Sequence, residues 1–218
     1  TGEVLWINID AKSSIQRVTH RDATGAWAYR GGIEFPIRAC YPQVALKGGS
    51  AHVLAIGDIV EPIAEWQTYK KEQTGQNWDY VFRRLFYTHT PNVVEQPFGA
   101  PLEIDSVEST SGHIANLDLW IGPDGVAHLL YLKTNIQSAL MRDRFFPGTP
   151  IQSSLEYVVV KEGEIVRKSR LLSGGVVVSP KQLGDGRFHA TPDGTLWGVN
   201  TATVQSENAK ERRPLLVP

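Results

Sequence analysis

Gly112-His113-Ile114-Ala115-Asn116-Leu117-Asp118-Leu119-Trp120-Ile121, the turn Gly122-Pro123-Asp124-Gly125, and Val126-Ala127-His128-Leu129-Leu130-Tyr131-Leu132-Lys133 decide the architecture. Asp-Gly tolerates the positive φ of a tight hairpin turn, and the apolar and aromatic runs on either side suit strands. Two more strands, 155–160 and 165–171, follow around Lys161-Glu162-Gly163. The span 113–172 therefore reads as four antiparallel strands. Unbroken apolar runs such as Leu129-Leu130-Tyr131-Leu132 and Val158-Val159-Val160 predict strands buried on both faces, as between stacked sheets.

The same hairpin recurs along the chain. Lys47-Gly48-Gly49-Ser50 leads into Ala51-His52-Val53-Leu54, and Thr191-Pro192-Asp193-Gly194 leads into Thr195-Leu196-Trp197. Thr1-Gly2 before Glu3-Val4-Leu5-Trp6 looks like the second half of one more. Further strands are expected at 4–9, 44–46, 52–59, 80–88, 188–190 and 196–200, with no long helix. A degenerate repeat of four antiparallel strands predicts an all-β chain, a β-propeller of four-stranded blades. Its expected division is a partial blade 1–37, blades 38–112 and 113–185, and a partial blade 186–218. About three to four blades are then present, starting after the first strand of one of them, and missing blades of a longer parent become expected partners. A β-sandwich is the alternative, and the unequal spacing of the hairpins speaks against it. The tail 206–218, polar and then Pro-bounded, reads as an inter-blade connection or a linker.

Composition narrows the function classes. The 218 residues, 41% apolar and 21% charged, can bury a sizeable core, which disfavours disorder and coiled coil. No apolar stretch approaches the ~20 residues of a membrane helix, and this segment shows no basic-then-apolar signal peptide. With Lys+Arg 22 against Asp+Glu 23, no bulk positive charge is available for nucleic acid. Cys40 alone forms neither an internal disulfide nor a cysteine-built zinc site. Phosphate-binding loops, nucleophile elbows and His-Glu-x-x-His helices are absent from the sequence. No cofactor is expected, although a structural calcium held by loop carbonyls would leave no sequence trace.

A second pattern adds a family. Asp22-Ala23-Thr24-Gly25-Ala26-Trp27, Glu72-Gln73-Thr74-Gly75-Gln76-Asn77-Trp78 and Thr191-Pro192-Asp193-Gly194-Thr195-Leu196-Trp197 share an acidic residue, a glycine and a nearby tryptophan. They resemble the bacterial-neuraminidase (BNR) repeat, or Asp-box, of sialidase-like propellers, Ser/Thr-x-Asp-x-Gly-x-Thr-Trp, each departing from it in spacing. Tyr41-Pro42-Gln43-Val44-Ala45-Leu46, the Gly112–Trp120 run and Gly186-Arg187-Phe188-His189 likewise resemble uncharacterised bacterial BNR-repeat proteins, over most of the chain. The resemblance implies a six- or seven-bladed propeller, an extracellular or periplasmic location, and relatives among sialidases and propeller-type ulvan lyases.

Such propellers bind substrate over the central channel, where inner strands begin and second strands join third ones. That rule selects Arg38, Cys40, Tyr41, His113, Asn116, Arg187 and His189, with Asp58, Glu61 and the loop 135–144, including Arg142. His113, His189 and Tyr41 are the candidate proton-transfer groups; Arg187, Arg38 and Arg142, with Asn116 and Asp58, are candidate contacts to an acidic glycan. The expected function is a carbohydrate-active propeller that binds an acidic oligo- or polysaccharide and cleaves it as a sialidase-like hydrolase or a polysaccharide lyase. The competing reading is a non-catalytic glycan- or protein-binding platform, in which the same histidines and arginines are struts between blades. Convergence in one pocket would favour the first, and pairing within blade junctions the second. His52 and His128, matched in successive repeats, read as buried, hydrogen-bonded imidazoles.

Overall fold

Each Gly-bearing turn closes a hairpin, with Gly49, Gly125 and Gly194 at φ 85, 78 and 86°. The computed structural model describes residues 2–175, 181–206 and 209–217. Its first sheet is β1 (Val4–Ile9), β2 (Gln16–Arg21) and β3 (Trp27–Ile33). The second begins with β4 (Ala39–Lys47) and β5 (Ser50–Gly57), leaves through β6 (Ile59–Val60), α1 (Ala64–Thr74) and β7 (Tyr80–Val81), and resumes with β8 (Arg84–Thr90) and β9 (Leu102–Ser106). The third is β10 (His113–Ile121), β11 (Ala127–Thr134), β12 (Gln152–Lys161) and β13 (Glu164–Gly175), with α2 (Ala139–Phe145) between its second and third strands. The fourth is β14 (Lys181–Ala190), β15 (Leu196–Ser206) and β16 (Ala209–Val217).

All these neighbours pair antiparallel, and β4 lies against β1 and β10 while β10 lies against β14. Successive meanders packed face to face in this way are the blades of a β-propeller. β1–β3 stand in the places of second to fourth strands. β3 feeds the start of β4 as β9 feeds the start of β10, and Gln16, opening β2, donates to the Ala39 carbonyl that opens β4.

Burial follows the sequence pattern. Ala51, Val53 and Ala55 of β5 pack toward the first sheet with Val18 and Ile33, and Leu54 and Ile56 pack toward the third with Ile114 and Leu129. Leu129 and Tyr131 of β11 face the second sheet, and Leu130 and Leu132 face Leu183 and Ala202 of the fourth. Inner strands of a propeller are sandwiched, so the apolar runs have no polar face to alternate with.

Every inner strand is interrupted by a bulge: at Tyr41-Pro42 in β4, at Leu117 in β10, and at Gly184-Asp185 in β14. A bulge leaves backbone groups outside the ladder. The next sheet takes them up, Asn116 Nδ2 donating to the Tyr41 carbonyl at 2.6 Å and Arg187 donating to the Leu117 carbonyl. Asp118 accepts the Phe188 amide at 2.7 Å across the same junction.

Several expectations need correction. α1 is an eleven-residue helix that pattern reading does not find, because Trp66 is its buried residue and no apolar stripe repeats. The three Asp-box-like segments occupy three contexts: Asp22–Trp27 joins β2 to β3, Glu72–Trp78 is the end of α1 capped by Gly75 at φ 69°, and Thr191–Trp197 joins β14 to β15. They are not copies of one structural repeat. The tail forms β16, paired with β15 from Ser206↔Ala209 to Gly198↔Val217. The predicted strand at 188–190 is the end of β14, not its beginning.

The matched histidines each pair with a tyrosine, His52 buried as expected and His128 only half-buried. His52 Nδ1 meets Tyr87 Oη at 2.7 Å and His128 Nδ1 meets Tyr157 Oη at 2.6 Å. Burial, then the neighbouring His89, push the His52 imidazole down to about 4. An unfolded His52 binds its proton near pH 6.5, so unfolding takes up a proton between about pH 6.5 and 4 and stability falls as pH falls through that window. Denaturant titrations should show this loss, and His52→Asn should remove part of its slope; equal slopes in both proteins would refute it. Separately, Asp118→Ala should cost about 2 kcal/mol through the lost Phe188 amide bond, and Asp118→Asn, which keeps an acceptor, distinctly less.

Candidate functional site

The end of the propeller where β4 and β10 begin carries the two long excursions, and there the antiparallel register sets Ala39 opposite Gly57. Asp58 therefore emerges beside Arg38. The Asp58 amide donates to the Arg38 carbonyl at 2.8 Å, and the Arg38 guanidinium donates both to the Asp58 carbonyl at 2.8 Å and to its carboxylate. Arg38 also lies over the Tyr80 ring, 5.7 Å from its centroid. Cys40 sits below this pair. Burial first, then the Asp58 hydrogen bond and charge, push its thiol up to about 11 against the opposing effect of Arg38, so it stays protonated at neutral pH.

Tyr41 follows in the bulge at φ 51°, a left-handed conformation that a non-glycine residue seldom adopts. Its ring is 65% exposed and meets Phe82 edge-on at 5.8 Å. Phe82 meets His113 edge-on at 5.7 Å on the other strand entry. Burial lowers the His113 pKa, which favours the neutral imidazole. Arg38, Asp58, Tyr41 and His113 are thus brought to one end, with Phe82 joining the last two.

The other predicted site residues go elsewhere. Asn116 and Arg187 are the inter-blade struts, spent on the Tyr41 and Leu117 carbonyls. His189 pairs with Trp197 beside the Thr191–Thr195 turn, at the opposite end of its strand from the position of His113 in β10. The cause is the bulge at Gly184-Asp185: these residues look like a loop in the sequence but belong to β14, which starts at Lys181. Arg142 lies in α2 and pairs with Asp143 at 2.7 Å. Glu61 is fully buried. Arg83 forks onto both of its oxygens at 2.8 and 2.6 Å, and Lys70 reaches it at 2.7 Å and Asp79 at 2.7 Å. Burial alone would raise the Glu61 pKa, and Arg83 followed by Lys70 outweigh it, leaving the carboxyl below its usual range.

Sequence reasoning missed the aromatic neighbours of Arg38. Trp78 stacks on Tyr80 at 4.5 Å and 28°, with Trp78 77% exposed. The signal in the sequence is two large aromatics two residues apart, and the Asp-box-like pattern around Glu72–Trp78 masks it. Among the described residues, no group of three or more His, Cys, Asp or Glu is arranged to hold a metal ion, and no helix is long and apolar enough to cross a membrane.

No family model matches the sequence, and no curated protein matches it. Solved structures resemble its fold. A protein of unknown function from Dyadobacter fermentans aligns with a TM-score of 0.52 at 10% identity, over 94% of this chain and 58% of its own. The α-L-arabinanase of Penicillium chrysogenum, solved with arabinobiose, aligns at 0.46 and 11% identity over 98% of this chain and 59% of its own. The endo-arabinase of Bacteroides thetaiotaomicron aligns at 0.43 and 12% identity over 97% of this chain and 74% of its own. The chain spans less than three fifths of the length of the first two. At such identities the likeness is one of fold. It gives the sialidase-like, BNR-repeat assignment no support, in keeping with the unequal settings of the Asp-box-like turns.

The buried ion network makes a strong prediction. Removing one member of a buried pair leaves an uncompensated charge, at a cost of roughly 3–5 kcal/mol. Glu61→Ala should lose stability on that scale in chemical denaturation, whereas Glu61→Leu combined with Arg83→Met should recover much of it. A loss below about 1 kcal/mol, the scale of a surface pair, would show that the network is solvated.

Proposed function

We propose that this chain is part of a carbohydrate-active propeller that binds a glycan at the end where β4 and β10 begin. The observation that carries the reading is the Arg38–Asp58 pair, in which Arg38 stands three residues before exposed Tyr41 and lies over the Tyr80 ring. Fixed hydrogen-bonding charges beside exposed aromatic faces match a sugar ring, which presents hydroxyls at its rim and C–H bonds on its faces.

The local electrostatics favour a neutral saccharide over an acidic one. Arg38 is committed to Asp58, Lys70 to Glu61 and Asp79, Arg83 to Glu61, and Arg142 to Asp143. At Arg38, Lys70, Arg83 or Arg142 a uronate or sialate carboxylate would have to displace one of these partners. Of the set expected for elimination, Tyr41 and His113 stay together at this end, while His189 lies at the other end of its blade and Arg187 is a strut. Binding is the activity we assign to these residues.

Calorimetry with neutral arabino-, xylo- and gluco-oligosaccharides, and with oligogalacturonate as the acidic comparison, tests this. Tyr41→Asn is the informative variant, because Asn tolerates the positive φ of the bulge. At least a tenfold loss of affinity for the bound neutral sugar is expected; unchanged affinity, or binding of oligogalacturonate alone, would overturn the reading.

A further inference from the structure

The excursion of the second sheet and that of the third meet beside the mouth. Between them is a cavity of about 560 Å³, lined by Trp78, Tyr80, Lys70 and Asp79 from one loop and by Gln137 and Ser138 from the other. This volume lies within the range of small-molecule sites. One wall is the stacked Trp78–Tyr80 pair, whose outer ring is three-quarters exposed, and Leu140 adds an apolar group to the lining. The other walls offer amide, hydroxyl, ammonium and carboxylate groups. Lys70 carries no surplus charge, since Glu61 and Asp79 both hold it. Asp79 faces the cavity while its Oδ1 holds Lys70 at 2.7 Å, and its Oδ2 is buried away from the cavity space. A flat aromatic face beside balanced polar groups recognises a ring that is apolar on its face and hydroxylated at its edge, and it offers nothing specific to an anion.

We propose that this cavity is a second saccharide subsite, which holds one neutral sugar ring stacked on Trp78. It rests on the glycan reading of the mouth, to which Tyr80 connects it by packing against Trp78 on one side and under Arg38 on the other. A chain of two or more sugar units would run from the Arg38–Asp58 pair across Tyr80 to Trp78. Because both loops contribute, the subsite exists only where the second and third blades are docked.

The test is calorimetry of the full chain with xylotriose, arabinotriose, cellotriose and trigalacturonate, using the wild type, Trp78→Ala and Tyr41→Asn. Trp78 is exposed, so Trp78→Ala should keep the wild-type melting temperature while binding the preferred neutral trisaccharide at least tenfold more weakly. The change in tryptophan fluorescence on sugar binding should disappear with it. Loss in Trp78→Ala with full binding by Tyr41→Asn would keep the subsite and overturn the mouth. The reverse pattern would keep the mouth and overturn the subsite. Binding of trigalacturonate alone, capture of a proline-rich peptide on Trp78 in place of sugar, or no sugar bound by the wild type would overturn the subsite as well.

Discussion

The blades hold together through polar bonds at places where their inner strands break the ladder. A bulge in β4 turns out the Tyr41 carbonyl, and Asn116 of the next blade satisfies it; a bulge in β10 turns out the Leu117 carbonyl, and Arg187 of the following blade satisfies that. Apolar packing between sheets is non-directional and would tolerate sliding of one blade over another. Hydrogen bonds to a specific bulged carbonyl do not. Asp118, receiving the Phe188 amide, adds a second fixed point one residue further on. The same bulge sets the Tyr41 ring outward at the mouth, so the device that locks the blades also presents an exposed aromatic group.

The loops that carry the rest of the candidate site are held by a different means. Glu61, Arg83 and Lys70 form a buried ionic knot under α1, with Arg83 also under the Trp66 ring at 5.0 Å and within hydrogen-bond reach of Ser111, which leads into the third blade. Trp66 in turn packs with Ile136, Met141 and Ile151 of the neighbouring excursion. An ion pair so deep contributes less to stability than its geometry suggests, because desolvation offsets much of the attraction. What it supplies is position. It ties the excursion of one blade to the strand entry of the next, and Asp79, Trp78 and Tyr80 inherit their placement from it.

Much of this was legible in the sequence, and the limits have physical causes. Asp124-Gly125 and Gly48-Gly49 announce their hairpins because few residues other than glycine adopt the required φ, and the apolar runs in β5 and β11 announce burial on two faces. His52 and His128 could be matched because equivalent strands put equivalent residues opposite a tyrosine. Bulges were not legible. Gly184-Asp185-Gly186 looks like a loop, and reading it so moved His189 from the end of a strand to its beginning. Arg187 and Asn116 have ligand-binding side chains, and only the neighbouring blade shows that backbone carbonyls occupy them. Helix α1 hides for another reason: a helix stitched down by Trp66 and by Lys70 on a buried carboxylate needs no repeating apolar stripe.

Charge balance then narrows what the mouth can recognise. The chain has almost no net charge, and Arg38 and Lys70 are neutralised by Asp58, Glu61 and Asp79, so on the proposed reading attraction at long range would contribute little to capturing a ligand there. Recognition has to come from contact. Contact-driven binding of a polar, uncharged ligand requires surfaces that remain favourable after water is displaced, and an aromatic face is such a surface because water solvates it poorly. On the proposed reading, the exposed rings of Tyr41 and Trp78, with Tyr80 in contact with both Trp78 and Arg38, are where the binding free energy at this end would arise. On the same reading, the paired charges around them would select among hydroxyl arrangements by direction and not by net charge.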